Sequence, residues 1–317
     1  MSPADNALIQ RLAARTGHPY LRQRLGIEDE AEHRIFHRGR TRFHIENIDS
    51  LHRLIRLFTQ LTLLHERGRR NALNIQIRHH TLSIARLPPA FNGYTILQLS
   101  DLHLDMNDDF PPLLRERLQG LEYDLCVMTG DYRYLTHGPW DKALAGLQTI
   151  RPAIHHPIYA VLGNHDSLRM APAIEDLNIH LLLNESVPLS RGDDTLYLAG
   201  IDDPHYFRTD NLDRASADIP VDAASILLGH SPEIFRQATH AGFDALLCGH
   251  THGGQIRLPG GLALTYNANC PRRFCAGAWQ HHQLQGYTSV GTGSSIVDLR
   301  YNCPPEITLH HLQRAQH

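Results

Sequence analysis

Five short apolar runs in this 317-residue chain each end in side chains that can ligate a metal or move a proton. Ser100-Asp101-Leu102-His103 follows residues 95–99, Thr129-Gly130-Asp131 follows 124–128, and Gly163-Asn164-His165-Asp166 follows 158–162. Gly229-His230 follows 226–228, and Gly249-His250-Thr251-His252-Gly253-Gly254 follows 246–248. The chain has 24 histidines, so a lone His carries no information and only spacing separates ligands from background. Residues two apart point to one side of an extended backbone, so Asp101/His103 and His250/His252 can chelate one ion or serve two adjacent ions. A mixed imidazole and carboxylate set suits Mn, Fe, Zn or Co better than an oxygen-only Mg or Ca cage. Taken singly, each motif has a bland reading: a chance Asp-x-His, a helix-capping turn, a core histidine at His230. Five of them in this order, each closing an apolar strand, leave the bland reading without support.

The positioning elements follow from the pattern around these motifs. Residues 94–99, 123–128, 157–162, 196–199, 225–228 and 245–248 are short and strongly apolar, as buried strands are, and 113–119, 141–150, 173–178 and 233–240 read as helices between them. Such alternation predicts an α/β fold. Ligands in layered α/β folds bind beyond the carboxyl ends of the strands, so the five motifs should converge. Four of them carry a Gly that lets the backbone turn sharply. Residues 262–266, 287–290 and 306–312 read as further strands with less helix between them, which a second sheet packed on the first would accommodate.

The first 86 residues differ from the rest, which predicts an N-terminal basic extension over 1–86 and a catalytic domain over 87–317. Residues 1–90 hold 15 arginines against 8 acidic residues, whereas the whole chain carries a net charge of −3. Basic charge is almost all arginine, Lys142 being the only lysine. Residues 1–46 are polar and show no sustained periodicity. A helix is expected over 50–67, with Leu51, Leu54, Ile55, Phe58 and Leu61 on one face. Alternation over 73–86 predicts a two-stranded element. The five cysteines, Cys126, Cys248, Cys270, Cys275 and Cys303, match no zinc-ligand spacing and are expected as free thiols. No apolar leader or membrane-spanning stretch is evident, so a cytoplasmic protein, at most lying on a membrane, is expected.

The motif set Asp101-x-His103, Gly130-Asp131, Gly163-Asn164-His165-Asp166, Gly229-His230 and Gly249-His250-Thr251-His252 resembles that of the calcineurin-like metallophosphoesterases, over roughly residues 90–317. The resemblance implies a four-layer sandwich, two mixed β-sheets packed together and flanked by helices. It implies two divalent metal ions, manganese first, with Fe, Zn or Co as alternatives. Asp101, His103, Asp131 and His252 would hold one ion. Asp131, Asn164, His230 and His250 would hold the other, with Asp131 bridging. His165 would serve the leaving-group oxygen and Asp166 would orient it. Many relatives carry an Asp or Asp-Arg pair after Gly-Asp; here the run is Asp131-Tyr132-Arg133-Tyr134. Arg133 is then either a phosphate-binding residue or a solvent-exposed loop arginine. Leu99–His103, 249–255 and Pro304-Pro305-Glu306-Ile307 resemble a bacterial branch that includes UDP-2,3-diacylglucosamine pyrophosphatase-like and related membrane-associated enzymes.

The activity expected is hydrolysis of a phosphodiester or pyrophosphate bond. A lipid-linked substrate at a membrane surface, contacted through residues 50–70, is one reading; a soluble phosphodiesterase acting on nucleotides or other small diesters is the other. The 50–67 helix can equally pack its apolar face on the catalytic domain. A non-catalytic scaffold is disfavoured because every ligand position and His165 are present. No basic and aromatic platform points to nucleic acid.

Overall fold

The computed structural model describes residues 3–36, 49–263 and 265–315. Their strands form two six-stranded sheets. In the first, β1 (Gln76–Ile84), β12 (Glu306–Arg314), β2 (Thr95–Leu99), β3 (Leu125–Met128), β4 (Ile158–Ala160) and β5 (His180–Leu181) lie side by side in that order. The second runs β10 (Gly277–His281), β11 (Leu284–Thr288), β9 (Ala245–Cys248), β8 (Ser225–Leu228), β7 (Asp194–Gly200) and β6 (Glu185–Arg191). Strands β2 to β5 are mutually parallel, as are β7, β8, β9 and β11. Every residue of β2, β3, β8 and β9 is buried, because both faces of these strands are covered. That is why they read as continuous apolar runs.

Three apolar cores define four layers. Ile96, Leu125 and Val127 of one sheet meet Leu198, Ile226, Leu228 and Leu247 of the other between the sheets. The opposite face of the first sheet packs on α5 (Phe110–Leu118), α6 (Asp141–Ile150) and α7 (Ala171–Glu175) through Leu114, Leu147 and Ile174. The outer face of the second covers Leu227, Leu246 and Cys248 with α8 (Leu212–Ser216) and α9 (Phe235–His240) through Ala215 and Ala238. The expected sandwich of two mixed sheets flanked by helices is therefore what the chain forms.

The N-terminal segment differs from its sequence reading in three respects. Residues 73–86 form one nine-residue strand, β1, and not a two-stranded element, pairing in parallel with β12 from Gln76↔Glu306 to Ile84↔Arg314. Its middle, His79-His80-Thr81, has no turn-forming residue. The 50–67 helix is broken into α3 (Asp49–Leu61) and α4 (His65–Ala72), with Leu63 left-handed (φ 59°) at the joint. Residues 3–36 are two helices, α1 (Pro3–Thr16) and α2 (His18–Phe36); residues 37–48 lie outside the described residues. The α2 periodicity escapes an apolar search because Leu21, Arg24 and Glu28 share its buried face, and two of these three are charged. The stretch 262–266 forms no strand among its described residues, Ala263 making a single bridge to Arg257.

Arg24 is wholly buried and stacks 3.3 Å from the Phe207 ring centroid. Its guanidinium donates to Asp202 (3.0 Å), to Glu28 and to the Asp166 carbonyl (3.0 Å). Glu28 in turn accepts from Ser167 Oγ (2.7 Å), the Leu168 N–H (2.6 Å) and Arg169 (3.0 Å). The α2 helix thus grips the residues immediately after His165. Removing one member of a buried ion pair leaves its partners charged and unpaired, which costs about 3–5 kcal/mol. Arg24→Leu should lower unfolding stability by that amount in urea titrations, and by far more than Arg22→Leu on the same helix.

Candidate metal centre

The five strand-end motifs converge on one buried site at the carboxyl ends of β2, β3, β8 and β9 and just after β4. Ligating atoms of Asp101, His103 and His252 lie within 4.8 Å of one another, as do those of Asp131, His230 and His250, and of His103, Asp131 and His165. Asp131 Oδ2 stands 3.2 Å from His230 Nε2 and 3.8 Å from the Nε2 atoms of both His103 and His165. His252 Nε2 lies 3.5 Å from Asp101 Oδ1 and 3.1 Å from His103 Nε2. Asn164 Oδ1 meets His230 Nε2 at 3.0 Å. All seven expected ligands are therefore together, and the groups overlap through Asp131 and His103.

The backbone reaches this arrangement by a route the sequence does not display. Asp101, His103, Asp131, His250 and His252 all have left-handed φ, between 41° and 72°. Non-glycine residues adopt this region rarely and at a cost, and they cluster at functional sites. The Asp101/His103, Asp131 and His250/His252 side chains meet because β2, β3 and β9 kink sharply at their ends, not because alternate residues of an extended chain share a side. As a result His252 joins Asp101 and His103, while His250 joins Asp131 and His230. The motif glycines have a second use besides turning. A Cβ on Gly163 would lie 2.2 Å from Asp131 Oδ1, and one on Gly249 would lie 2.2 Å from Asp101 Oδ2.

Hydrogen bonds fix the tautomers, and with them the chemistry. His103 Nδ1 donates to the Arg133 carbonyl (2.8 Å) and His230 Nδ1 to the Thr129 carbonyl (2.7 Å), leaving each Nε2 as a lone pair aimed into the cluster. His250 is reversed: its Nε2 donates to the Asn267 carbonyl at 2.5 Å, freeing Nδ1. His165 Nδ1 bonds the Tyr134 carbonyl, so its Nε2 faces the site. Around His230, Nε2, a carboxylate oxygen and an amide oxygen converge, so this nitrogen must carry a proton or face a metal ion. The Nδ2 of Asn164 is buried without a partner, so the amide presents its oxygen to the cluster. The donor set fits a divalent metal of the Mn, Fe, Zn or Co type.

The titration tendencies carry the same imprint. Burial opposes a charge on His230, yet the Asp131 and Asp101 carboxylates overcome it and raise its pKa well above the ordinary value. Burial pushes Asp101 up to about 7 and Asp131 up to about 6, and it drives His103 down to about 3. His165, His250 and His252 are also held well below the ordinary imidazole value, first by burial.

Asp166, expected to orient His165, and Arg133, expected either to bind phosphate or to lie exposed, are both bonded to loop backbone. The Asp166 carboxylate accepts the N–H groups of Asp131 (2.7 Å), Tyr132 (2.9 Å) and Gly163 (2.9 Å), tying the third motif to the second; the His165 ring is oriented by Tyr134. Arg133 is neither at the surface nor open to a phosphate. It is buried, and its fork is filled by the carbonyls of His165, Gly138 (2.8 Å) and Thr136 (2.9 Å). The sequence reading missed Arg300, a fully buried side chain whose Nη2 lies 3.3 Å from His252 Nδ1 and donates to the carbonyls of Val290 (2.8 Å) and Gly293 (2.5 Å). It missed His205 as well, whose ring packs 4.2 Å from His250 and whose Nδ1 meets Glu233 at 2.9 Å. Neither stands in a recognisable motif, and no local signal marks either one.

Fold and site together define a metal-dependent phosphoester hydrolase. Residues 94–254 match the sequence profile of the calcineurin-like phosphoesterases. The chain is 30% identical over 260 residues to the metallophosphoesterase YkoQ of Bacillus subtilis, covering 78% of this chain and 93% of that one. It is 27% identical to the phosphodiesterase YaeI of Escherichia coli K12, covering 68% and 81%. A transmembrane protein with a metallophosphoesterase domain from Bos taurus is 31% identical, covering 73% of this chain and 56% of that one. The chain belongs to the calcineurin-like phosphoesterase family.

The two aspartates give metal loading a pH signature. With both carboxyl values raised above the unfolded 3.8, the metal-free fold binds these protons more tightly than the unfolded chain does. Its stability therefore falls as pH rises from that value through about 6 and about 7. A divalent ion replaces the protons. The rise in Tm on adding Mn²⁺ should accordingly grow with pH across this window, as differential scanning fluorimetry would show; a rise that shrinks with pH would contradict the assignment.

Proposed function

We propose that the chain hydrolyses phosphodiester or pyrophosphate bonds at a dinuclear centre. Asp101, His103 and His252 would hold one ion, Asn164, His230 and His250 the other, and Asp131 would bridge them. The observation that carries this reading is that the buried Asp131 carboxylate groups with His230 and His250 on one side and with His103 on the other, His103 also grouping with Asp101 and His252. Divalent ions held by these residues would supply Lewis-acid stabilisation of phosphoryl oxygens and a water of lowered pKa as the nucleophile. The chain supplies the rest. Asp131 is held in place by the His165 N–H (2.9 Å) at Oδ1 and by the position of Gly163. His165 presents Nε2 with its other nitrogen fixed on Tyr134; donation to the leaving oxygen would use its imidazolium form, which the negative charge of a bound phosphate would favour against the effect of burial. Arg133 and Asp166 act through His165 and Asp131, as positioning residues.

Asp131→Asn should lower bound metal and turnover together, measured by elemental analysis and by hydrolysis of a nitrophenyl diester with Mn²⁺. His165→Ala should retain metal but lose about 10²–10⁴-fold in kcat, and lose more on an alkyl diester than on the activated nitrophenyl one. Full activity of His165→Ala on the alkyl diester would remove it from proton transfer.

The substrate reading favoured is a lipid-linked phosphate at an anionic membrane surface. Leu57, Phe58 and Leu61 of α3 are 53%, 61% and 76% exposed, and Leu63 beside them is 89% exposed. Arg56, Arg67 and Arg70 are exposed on the same helix pair. This supports the membrane reading over packing of that face on the catalytic domain, since apolar side chains flanked by arginines suit the headgroup region. A cavity lined by Arg56, Gln60, His65, Arg69, Asn107 and Asp298 separates these helices from the loop that follows His103. Among the described residues no helix is long and apolar enough to cross a membrane. The protein should co-sediment with phosphatidylserine-containing vesicles, and Phe58→Asp with Leu61→Asp should abolish this while leaving nitrophenyl diester hydrolysis intact. Equal recovery of both proteins in the supernatant would favour the small-diester alternative.

A further inference from the structure

Residues 270–275, Cys-Pro-Arg-Arg-Phe-Cys, form a tight turn beside the metal centre. The Phe274 and Cys275 N–H groups bond back to the Pro271 (2.8 Å) and Arg272 (3.1 Å) carbonyls. This brings Cys270 Sγ to 3.5 Å from Cys275 Sγ. Cys270 is half-buried and reachable, whereas Cys126, Cys248, Cys275 and Cys303 are buried. A hydrogen bond from the Cys270 thiol lowers the Cys275 value, and the Arg272 guanidinium adds to this against the effect of burial.

The turn is tied to the ligand loop on both sides. The Cys275 carbonyl accepts from Thr251 Oγ1 at 2.6 Å, and Thr251 lies between His250 and His252. Three residues before Cys270, the Asn267 carbonyl orients His250 through its Nε2. The Asn269 N–H donates at 2.5 Å to Glu233, which also meets His205.

We propose that Cys270 and Cys275 are a redox-active dithiol whose closure to a disulfide loosens the metal centre by shifting the carbonyls that orient His250 and Thr251. Closure requires the sulfurs to approach from 3.5 Å to about 2.05 Å, a contraction of the turn that carries these contacts. With a small-molecule disulfide as oxidant, the Cys270 proton passes to the Cys275 thiolate across their hydrogen bond. The reachable Cys270 sulfur attacks one sulfur of the oxidant and expels one thiolate, which takes up the proton as Cys275 releases it. The Cys275 thiolate then attacks the Cys270 sulfur and expels the second. One protein disulfide forms, the oxidant is reduced to two thiols, and the two protein protons end on those thiols. Partners that orient a ligand histidine typically carry about 10–100-fold in metal affinity.

The experiment treats the full chain with oxidised glutathione, maps alkylatable thiols by peptide mass, and titrates Mn²⁺ affinity before and after reduction by dithiothreitol. Loss of two thiols mapping to Cys270 and Cys275, with a roughly tenfold weaker Mn²⁺ affinity that reductant restores, is the expected result. Cys270→Ser should keep its Mn²⁺ affinity under oxidant. Two thiols still alkylatable, a Cys270→Ser variant that responds like the parent, or a disulfide that leaves Mn²⁺ affinity unchanged would each overturn the proposal. Thiol mapping does not depend on the metal-centre reading and the affinity titration needs no substrate, so failure of the proposed hydrolysis is separable from failure here.

Discussion

Imidazole lone pairs and carboxylate oxygens buried face to face have to be held apart from their own repulsion, and the surrounding structure is organised to do that. Around His230 Nε2, the Asp131 and Asn164 oxygens approach to 3.2 and 3.0 Å. Without a cation such a cluster recruits a proton, which is why His230 is raised despite full burial. With a divalent ion the same atoms become ligands, so one arrangement accounts for both the titration and the chemistry. Holding it requires left-handed residues at the strand ends, and glycines where two strand ends nearly touch.

Buried arginines brace these loops. Arg24, Arg133 and Arg300 together reach the carbonyls of Asp166, His165, Gly138, Thr136, Val290 and Gly293. A planar guanidinium can bond several carbonyls in fixed directions, which an ammonium on a flexible stem cannot. Some of the arginine excess that composition alone leaves as bias is therefore structural. The negative ends of these carbonyls and the carboxylates of Glu28 and Asp202 compensate the buried positive charge.

The N-terminal residues serve the site in two different ways. Helix α2 grips the segment after His165 from one side, and β1 extends the first sheet beyond β12. Helix α3 instead leaves Leu57, Phe58 and Leu61 at the surface, beside the cavity next to the loop after His103. A segment that reads in sequence as one basic extension is thus partly catalytic scaffold and partly exposed surface.

The sequence by itself determined the sandwich and the convergence of Asp101, His103, Asp131, Asn164, His165, His230, His250 and His252 at its strand ends, because central parallel strands covered on both faces must be uniformly apolar and their ends must converge. It determined that α6 spans Asp141–Ile150 and that β8 and β9 precede His230 and His250. The resemblance implied that His252 groups with Asp101 and His103 and His250 with Asp131 and His230; the tertiary structure alone shows the cause, left-handed kinks at Asp101, His103, Asp131, His250 and His252 that have no composition signature. It also decided that Asp166 and Arg133 turn toward backbone groups, since Asp131 and Tyr132 for the one and His165 for the other lie more than 30 residues away in the chain. Helix α2 was hidden because Arg24 and Glu28 occupy apolar positions and, apart from each other, are satisfied by Asp202, Asp166, Ser167, Leu168 and Arg169, more than a hundred residues further on. Local patterning records burial against neighbours; it cannot record partners brought in by folding.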